Sequence, residues 1–433
     1  MKKQIIIITM AVLLTPILGQ ANTLKPPRRA TTKPNQHSRR VTPPKPVLAK
    51  PVLAKPVLVK PALPKPAPPL SESDAVFNRN SVLNIEIELS AEALNSLRNE
   101  PRKYVEATLK AGNKIYNRVG VHLRGAAGSF QGVDDKPGIT FNMDKFVKKQ
   151  RFCGMGKFHL ANSVQDPTYS TELLCGEIFR EAGVPAARIA HATLSINGRK
   201  CGMYSLKEGY DKQFLMHHFK DTHGNLYDGG FLRDLDQPLE LLSGKKGQKE
   251  QEQLELKALA DASKEPKLDL RFNRLSQLLD MNRFLTYIAL EAMLWDWDGY
   301  PMNRNNYRVY HDLASNKIVF IPSGMDQMFG NVEGPILPDF QGMIARSILE
   351  TPEGREGYFS RMRKLLLSTV RIEARLKRLV EVEAKIKPVL TAINKDEGNG
   401  YGQQMEALRD RIRGRFREVG EQLKKIPVTE KTL

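Results

Sequence analysis

The stretch Trp295-Asp296-Trp297-Asp298-Gly299-Tyr300-Pro301-Met302-Asn303-Arg304-Asn305-Asn306-Tyr307 constrains this fold more than any other part of the chain. Met281 to Leu294, just before it, carries apolar residues at helical spacing. Tyr307 to Tyr310 and Ile318 to Ile321, just after it, read as two strands joined by a turn around Ser315-Asn316. A helix therefore delivers the chain to a polar turn broken by Gly299 and Pro301. A hairpin carries it on to a second turn, Pro322 to Gly330. Asp298 and Asp326 thus flank one hairpin.

The N-terminus predicts export. Lys2 and Lys3 precede an apolar run from Ile5 to Leu18, and Gly19-Gln20-Ala21 supplies small residues for cleavage. Residues 1–21 are accordingly expected to be a signal peptide. No later segment is long and apolar enough for a membrane span. Residues 22–72 read as a Lys/Pro-rich linker, in which Lys-Pro-Val-Leu-Ala runs from Lys45 and recurs at Lys50. Proline at this density removes amide donors and favours an extended spacer. Of the formal charge of +19, +13 lies before Ser71, where there is no acid, leaving +6 for the rest. The high charge belongs mostly to the arm rather than to a folded basic face, so nucleic-acid binding is not expected. The arm suits electrostatic contact with an anionic envelope, or a plain spacer. Three cysteines, Cys153, Cys175 and Cys201, exclude a full disulfide framework and have no zinc spacing. One pair could bridge; small buried hydrophobes are the other reading.

The remainder predicts an α+β fold. Val82 to Leu89 alternates as a strand, and Ser90 caps a helix to about Asn99. Tyr104 to Leu109, Val119 to Leu123 and Ile139 to Met143 are further strands, with a glycine-bearing loop over residues 124–132. Ser170 to Ala182 reads as a helix, and Ala192 to Leu206 as a hairpin turning at Asn197-Gly198. Residues 234–267 are charged and read as an exposed, mobile insertion. Beyond Tyr358 the pattern is amphipathic helix, basic outside. This gives a folded domain over 73–345 and a basic helical extension over 346–433.

Asp298 and Asn303 have the Asp-x4-Asn spacing of kinase catalytic loops, in which the Asp takes or orients the hydroxyl proton and the Asn holds Mg2+. An Asp-Gly pair also caps turns routinely, and clustered asparagines often brace a loop. Asp326 stands at a strand end where a cation on phosphates favours a carboxylate. Arg124, beside a strand, is a phosphate candidate.

The chain resembles the CotH kinase family from about Val82 to Gly330. The resemblance rests on Gly120-Val121-His122-Leu123-Arg124-Gly125, on Ile196-Asn197-Gly198, and on Gly202-Met203-Tyr204-Ser205-Leu206-Lys207-Glu208. It continues through Gly224-Asn225-Leu226-Tyr227, Asp298-Gly299-Tyr300 with Asn303, Asn305, Asn306 and Tyr307, and Phe320-Ile321-Pro322 with Asp326 and Phe329-Gly330. It implies a bilobal protein-kinase-like fold, with a β-rich N-terminal lobe, a helix-rich C-terminal lobe and a helical extension. It also implies transfer of the ATP γ-phosphate, with Mg2+ or Mn2+, to Ser or Thr of exported surface or envelope proteins. Asp298 is then the catalytic acid–base residue, Asn303 and Asp326 hold metal, and Arg124, Lys136 and Glu208 contact nucleotide. Glu172 or Glu177 would pair the lysine. One departure stands out: many members read Trp-Asp-Leu-Asp where this chain reads Ser323-Gly324-Met325-Asp326. That missing acid, with the scarcity of ATP outside the cytoplasm, keeps open a non-catalytic, pseudokinase-like binding or structural protein.

Overall fold

The computed structural model describes residues 71–126, 128–244 and 252–427. The expected signal segment and nearly all of the Lys/Pro arm lie outside the described residues. The β-rich part contains α1 (Asp74–Phe77), β1 (Leu83–Glu88), α2 (Ala91–Asn99), β2 (Val105–Ala111), β3 (Lys114–Arg124), β4 (Gly138–Asn142), β5 (Lys157–Ala161), α3 (Thr171–Glu181), β6 (Ile189–Ile196) and β7 (Arg199–Glu208). There follow α4 (Lys212–His218), β8 (Leu226–Asp228), β9 (Glu240–Ser243), α5 (Leu254–Ser263), α6 (Leu268–Leu278), α7 (Met281–Leu294), α8 (Tyr300–Asn303), β10 (Tyr307–Asp312) and β11 (Lys317–Pro322). The chain ends in α9 (Met343–Leu349), α10 (Pro352–Leu365), α11 (Ile372–Ile393) and α12 (Lys395–Lys424).

The mixed α+β composition agrees with the sequence. The arrangement of the strands is new. β1 to β7 close a seven-stranded barrel in the order β1-β2-β3-β4-β5-β7-β6. The closing pair, β1 with β6, is parallel and sets Leu83 opposite Ala192. Closure removes the exposed strand edges that an open sheet would have to protect. The alternation read in the sequence puts Ile85 and Ile87 inside, where Leu109, Val121, Phe141, Phe158 and Leu206 are also buried. Phe141 and Phe158 stack with centroids 4.6 Å apart. The predicted turn forms, with Asn197 at φ +49° and Gly198 at φ +81°. Ser90 caps α2 as read, its hydroxyl accepting from the Ala93 amide at 3.1 Å.

A second sheet, in the order β11-β10-β8-β9, lies against the helices. α7 is buried from Phe284 to Leu294, and Phe284 packs edge-on against Phe320 of β11 at 4.8 Å. One expectation changes here. Residues 234–267 are not a wholly exposed insertion, because α5 buries Leu256, Leu259 and Ala260. That helical spacing is present in the sequence but diluted by the surrounding charge. All three cysteines are free. The basic helices after residue 346 share one apolar core with α7: Tyr358, Leu379, Ile386, Tyr401, Leu408, Ile412 and Val419 are buried in the same cluster as Tyr287.

Arg415 of α12 shows how these helices attach. Its guanidinium donates to Ala292 O at 2.7 Å, Met293 O at 3.0 Å and Val332 O at 3.1 Å, and also to Gly334 O. Two of these carbonyls belong to the last turn of α7, where the helix supplies no i+4 donor; Ala292 O also accepts from the Trp295 amide at 3.2 Å. The guanidinium also lies 5.4 Å from the Trp295 ring centre, and Trp295 turns the chain out of α7 with φ +57°. Burial pushes the Arg415 pKa down to about 10. Replacing Arg415 with Ala is expected to cost about 3 kcal/mol, since several buried carbonyls lose a charged donor. Arg413→Ala, which removes only exposed pairs to Glu406 and Asp410, should cost about 0–1 kcal/mol. Denaturant midpoints of the two variants provide the check.

Candidate active site

The site is a cleft of about 630 Å³ where barrel strands, the start of α3 and the two turns flanking the β10–β11 hairpin meet. Arg124, Glu172, Lys207, Asp298, Asn303, Asn305, Asn306, Gly324 and Asp326 all line it.

Asp298 sits between α7 and α8. Asn303 donates to its Oδ1 at 2.7 Å, and Asn305 and Asn306 donate to its Oδ2 at 3.1 and 2.8 Å. Asn306 also reaches the Asp298 carbonyl at 3.2 Å. Three amides therefore fix one carboxylate, while Oδ1, with a single donor, keeps acceptor capacity for a hydroxyl. Since each asparagine spends its NH2 on Asp298, its carbonyl oxygen is left for other work.

Lys207 of β7 and Glu172 in the first turn of α3 form a buried ion pair, with side chains 3% and 9% exposed. The Glu172 carboxylate also accepts from the Met325 amide at 3.4 Å, which ties the pair to the turn carrying Asp326. Burial first, and then the charge of Glu172, raises the Asp326 pKa to about 7. Burial lowers the Arg124 pKa, opposed by Glu172 and Asp326. The Arg124 side chain has no hydrogen bond or ion pair among the described residues, and the Glu172 and Asp326 carboxylates act on it only through space.

The structure brings four of the six sequence-selected residues together: Asp298, Asn303, Asp326 and Arg124. It places the other two elsewhere. Lys136 donates to Tyr169 Oη at 3.0 Å and lies between the Tyr169 and Tyr204 rings, outside the cleft lining. Glu208 is buried in an ion pair with Arg188 at 2.5 Å. The reason is strand geometry: successive side chains point to opposite faces, so with Lys207 in the cleft, Glu208 turns away. The lysine that lines the cleft is Lys207, and of the two glutamates considered, Glu172 meets it while Glu177 pairs with Arg378 at 3.0 Å. In the sequence Lys207 stands within the segment Gly202–Glu208 that carries the family resemblance; the structure buries every residue from Met203 to Glu208, where a lysine needs a partner.

Gly324 has φ +61°, and a Cβ built there would come within 2.6 Å of Asn306 Oδ1. An acid at that position would strain the backbone and displace one of the amides that hold Asp298. The absent acid and the position of Asn306 are therefore linked.

Two carboxyls lie under the loop. A Cβ on Gly299 would approach Glu291 Oε2 within 1.9 Å and Asp296 Oδ2 within 3.1 Å. Both Glu291 oxygens and Asp296 Oδ2 lack hydrogen-bond partners. Burial, followed by the neighbouring Asp296, pushes the Glu291 pKa well up. Burial, with the charges of Asp298 and Asp326, raises that of Asp296 to about 8.

As to a divalent ion, no cluster of three His, Cys, Asp or Glu side chains suited to metal occurs among the described residues. Magnesium needs no such cluster; it is commonly held by one or two carboxylates with phosphate oxygens and water. The raised Asp326 carboxyl beside Glu172, with the free Asn303 oxygen, fits that demand.

Comparison with known proteins supplies the family. The family described as CotH kinase protein matches residues 127–423, more than half of the chain, and the chain belongs to it. It is 22% identical over 300 residues to the inner spore coat protein H of Bacillus subtilis (strain 168), covering 64% of this chain and 81% of that one. It is 25% identical over 193 residues to spore coat protein homolog 1 of Rhizopus delemar, covering 40% of this chain and 30% of the relative. The chain thus spans less than a third of that fungal relative. A solved structure, the Helicobacter pylori proinflammatory kinase CtkA, aligns at 10% identity with TM-score 0.29, covering 68% of this chain and 96% of that one. A score that low carries no argument about the fold.

Two predictions follow from this geometry. Lys207→Met and Glu172→Leu should each destabilise by about 3–5 kcal/mol, because each leaves an unpaired buried charge, and the combined Lys207→Met/Glu172→Leu variant should lose less than the sum. Denaturation of the three variants measures this. The second concerns pH. Asp296 has its pKa raised on folding, so the folded state binds the extra proton between about 4 and about 8, and stability from this group falls as pH rises through that window. The stability of Asp296→Asn relative to the parent should therefore grow from pH 4 to pH 8; a constant difference would contradict the buried, proton-holding carboxyl.

Proposed function

We propose that this member of the CotH kinase family transfers the γ-phosphoryl group of ATP to Ser or Thr hydroxyls of exported surface or envelope proteins, on a bilobal kinase-like scaffold. The observation that carries the reading is the convergence on one cleft of the amide-held Asp298, the buried Lys207–Glu172 pair and Asp326. Phosphoryl transfer asks little covalent chemistry of the protein; it asks for positioning and for positive charge where negative charge gathers.

In this reading the acceptor hydroxyl lies against Asp298 Oδ1, which orients it and takes its proton as the oxygen attacks phosphorus. The three amides keep the carboxylate aimed while it does so. Lys207, held by Glu172, and the unpartnered Arg124 face the phosphates and offset their charge. Asp326 and the Asn303 oxygen would hold the divalent ion, which supplies further charge neutralisation on the phosphates. Phe231 and Trp297, 65% and 45% exposed at the cleft, offer apolar surface where an acceptor chain would pass. Export rests on the N-terminal signal pattern; among the described residues no helix is long and apolar enough to cross a membrane.

The deciding experiment incubates the protein with labelled ATP and Mg2+ or Mn2+, with envelope extract as acceptor. Transfer is expected to fall about 10²–10⁴-fold in Asp298→Ala, to fall strongly in Lys207→Ala, and to persist in Lys136→Ala. Gly324→Asp should lower rather than restore activity, since it displaces Asn306. Absence of transfer and of any nucleotide-dependent thermal shift would refute the kinase reading. A thermal shift without transfer would favour the non-catalytic alternative, which Gly324 recommends.

A further inference from the structure

A second cavity, of about 570 Å³, shares no lining residue with the cleft. It is lined by the chain just after α1, by α3, by the start of β6 and by α11. Five cations face it: Arg79, Arg180, Arg188, Arg378 and Lys385.

Two of the five are balanced. Arg188 pairs with Asp74 and Glu208, each at 2.5 Å. Arg378 pairs with Glu177 at 3.0 Å and Glu381 at 3.3 Å. Those pairs use both acids of the lining. The other three are uncompensated by ion pairs. Arg180 donates only to the carbonyls of Ala187 and Ala186, at 2.8 and 3.3 Å. The side chains of Arg79, at the exposed rim, and of half-buried Lys385 have no hydrogen bond or ion pair among the described residues. Burial first, and then the adjacent Arg378, pushes the Lys385 pKa down to about 8, with Glu177 opposing. Arg188 acts against Arg180 and Arg378 against Lys385, and the nearby Glu177 offsets only part of this repulsion, so a further anion is favoured here.

We propose that this cavity binds a phosphate monoester dianion through Arg79, Arg180 and Lys385. Guanidinium forks suit phosphate oxygens and the ammonium adds a point charge. The cavity far exceeds a bare phosphate, and Phe77, Ile189 and Val382 give the remainder of the ligand apolar wall. Glu177 and Arg180 belong to α3, the helix that presents Glu172 to Lys207, so an occupant would press on the element that sets the cleft.

The test is calorimetric titration of the full chain with O-phosphoserine, inorganic phosphate and serine. Phosphoserine should bind saturably, and serine should not. Binding should weaken about tenfold, or ~1.4 kcal/mol, in Arg79→Ala/Lys385→Ala, and remain unchanged in Arg124→Ala, which alters only the cleft. Inorganic phosphate separates the sources: phosphoserine binding well above it indicates a phosphorylated protein, and parity indicates free phosphate; both support the site. If the double variant does not fold, Lys385→Met alone replaces it. Absence of phosphoserine binding at millimolar concentration, or binding untouched by the cavity variants and lost in Arg124→Ala, overturns the proposal. Binding is read without turnover, so failure of the kinase reading would leave this result standing.

Discussion

The buried pair of Lys207 and Glu172 is the constraint on which the site depends. Neither charge is stable alone away from water, and each demands the other at contact. β7 and α3 come from different parts of the fold, one in the barrel wall and one between β5 and β6. Their union fixes the start of α3 against the cleft. Through the Met325 amide the same carboxylate holds the turn with Asp326. One ion pair thereby registers the barrel, a helix and the second acidic turn to each other.

The C-terminal helices support that arrangement from outside. Arg375 and Arg371 hold Glu181 at 2.6 and 2.7 Å, and Arg378 holds Glu177, so the later turns of α3 are gripped by α11 and the turn before it. Arg415 of α12 occupies the end of α7, where the Asp298 loop begins. Part of the basic character of this region is thus spent on internal carboxylates and carbonyls. That explains how a chain so rich in arginine shares a core between its C-terminal helices and α7 rather than presenting those residues to an anionic polymer.

Much of the site was legible because local chemistry betrays it. Asp298 with Asn303, Asn305 and Asn306 is a short-range constellation, and its hydrogen bonds close within eight residues of one another along the chain. Asp326 follows one hairpin later. Lys136 attracted attention for its place after a glycine-bearing loop, yet the lysine that lines the cleft lies on β7. Choosing between them requires knowing which strands adjoin, since Lys207 acquires its meaning only from Glu172, 35 residues away. α5 was obscured for a different reason: its apolar stripe is narrow and the charges around it are many.

From the sequence alone came the α+β class, the hairpin at Asn197-Gly198, the helix entering the Asp298 loop and the acid at Asp326. These depend on periodicity and turn chemistry, which act over a few residues. The tertiary structure decided the closure of the barrel through β1 and β6, the pairing of Lys207 with Glu172, and the exclusion of Lys136 and Glu208 from the cleft. It also decided that Gly324 must be small, because Asn306 lies against it. Each of these depends on groups distant in the chain meeting in a medium where an unpaired charge or an overlapping atom is too costly to keep.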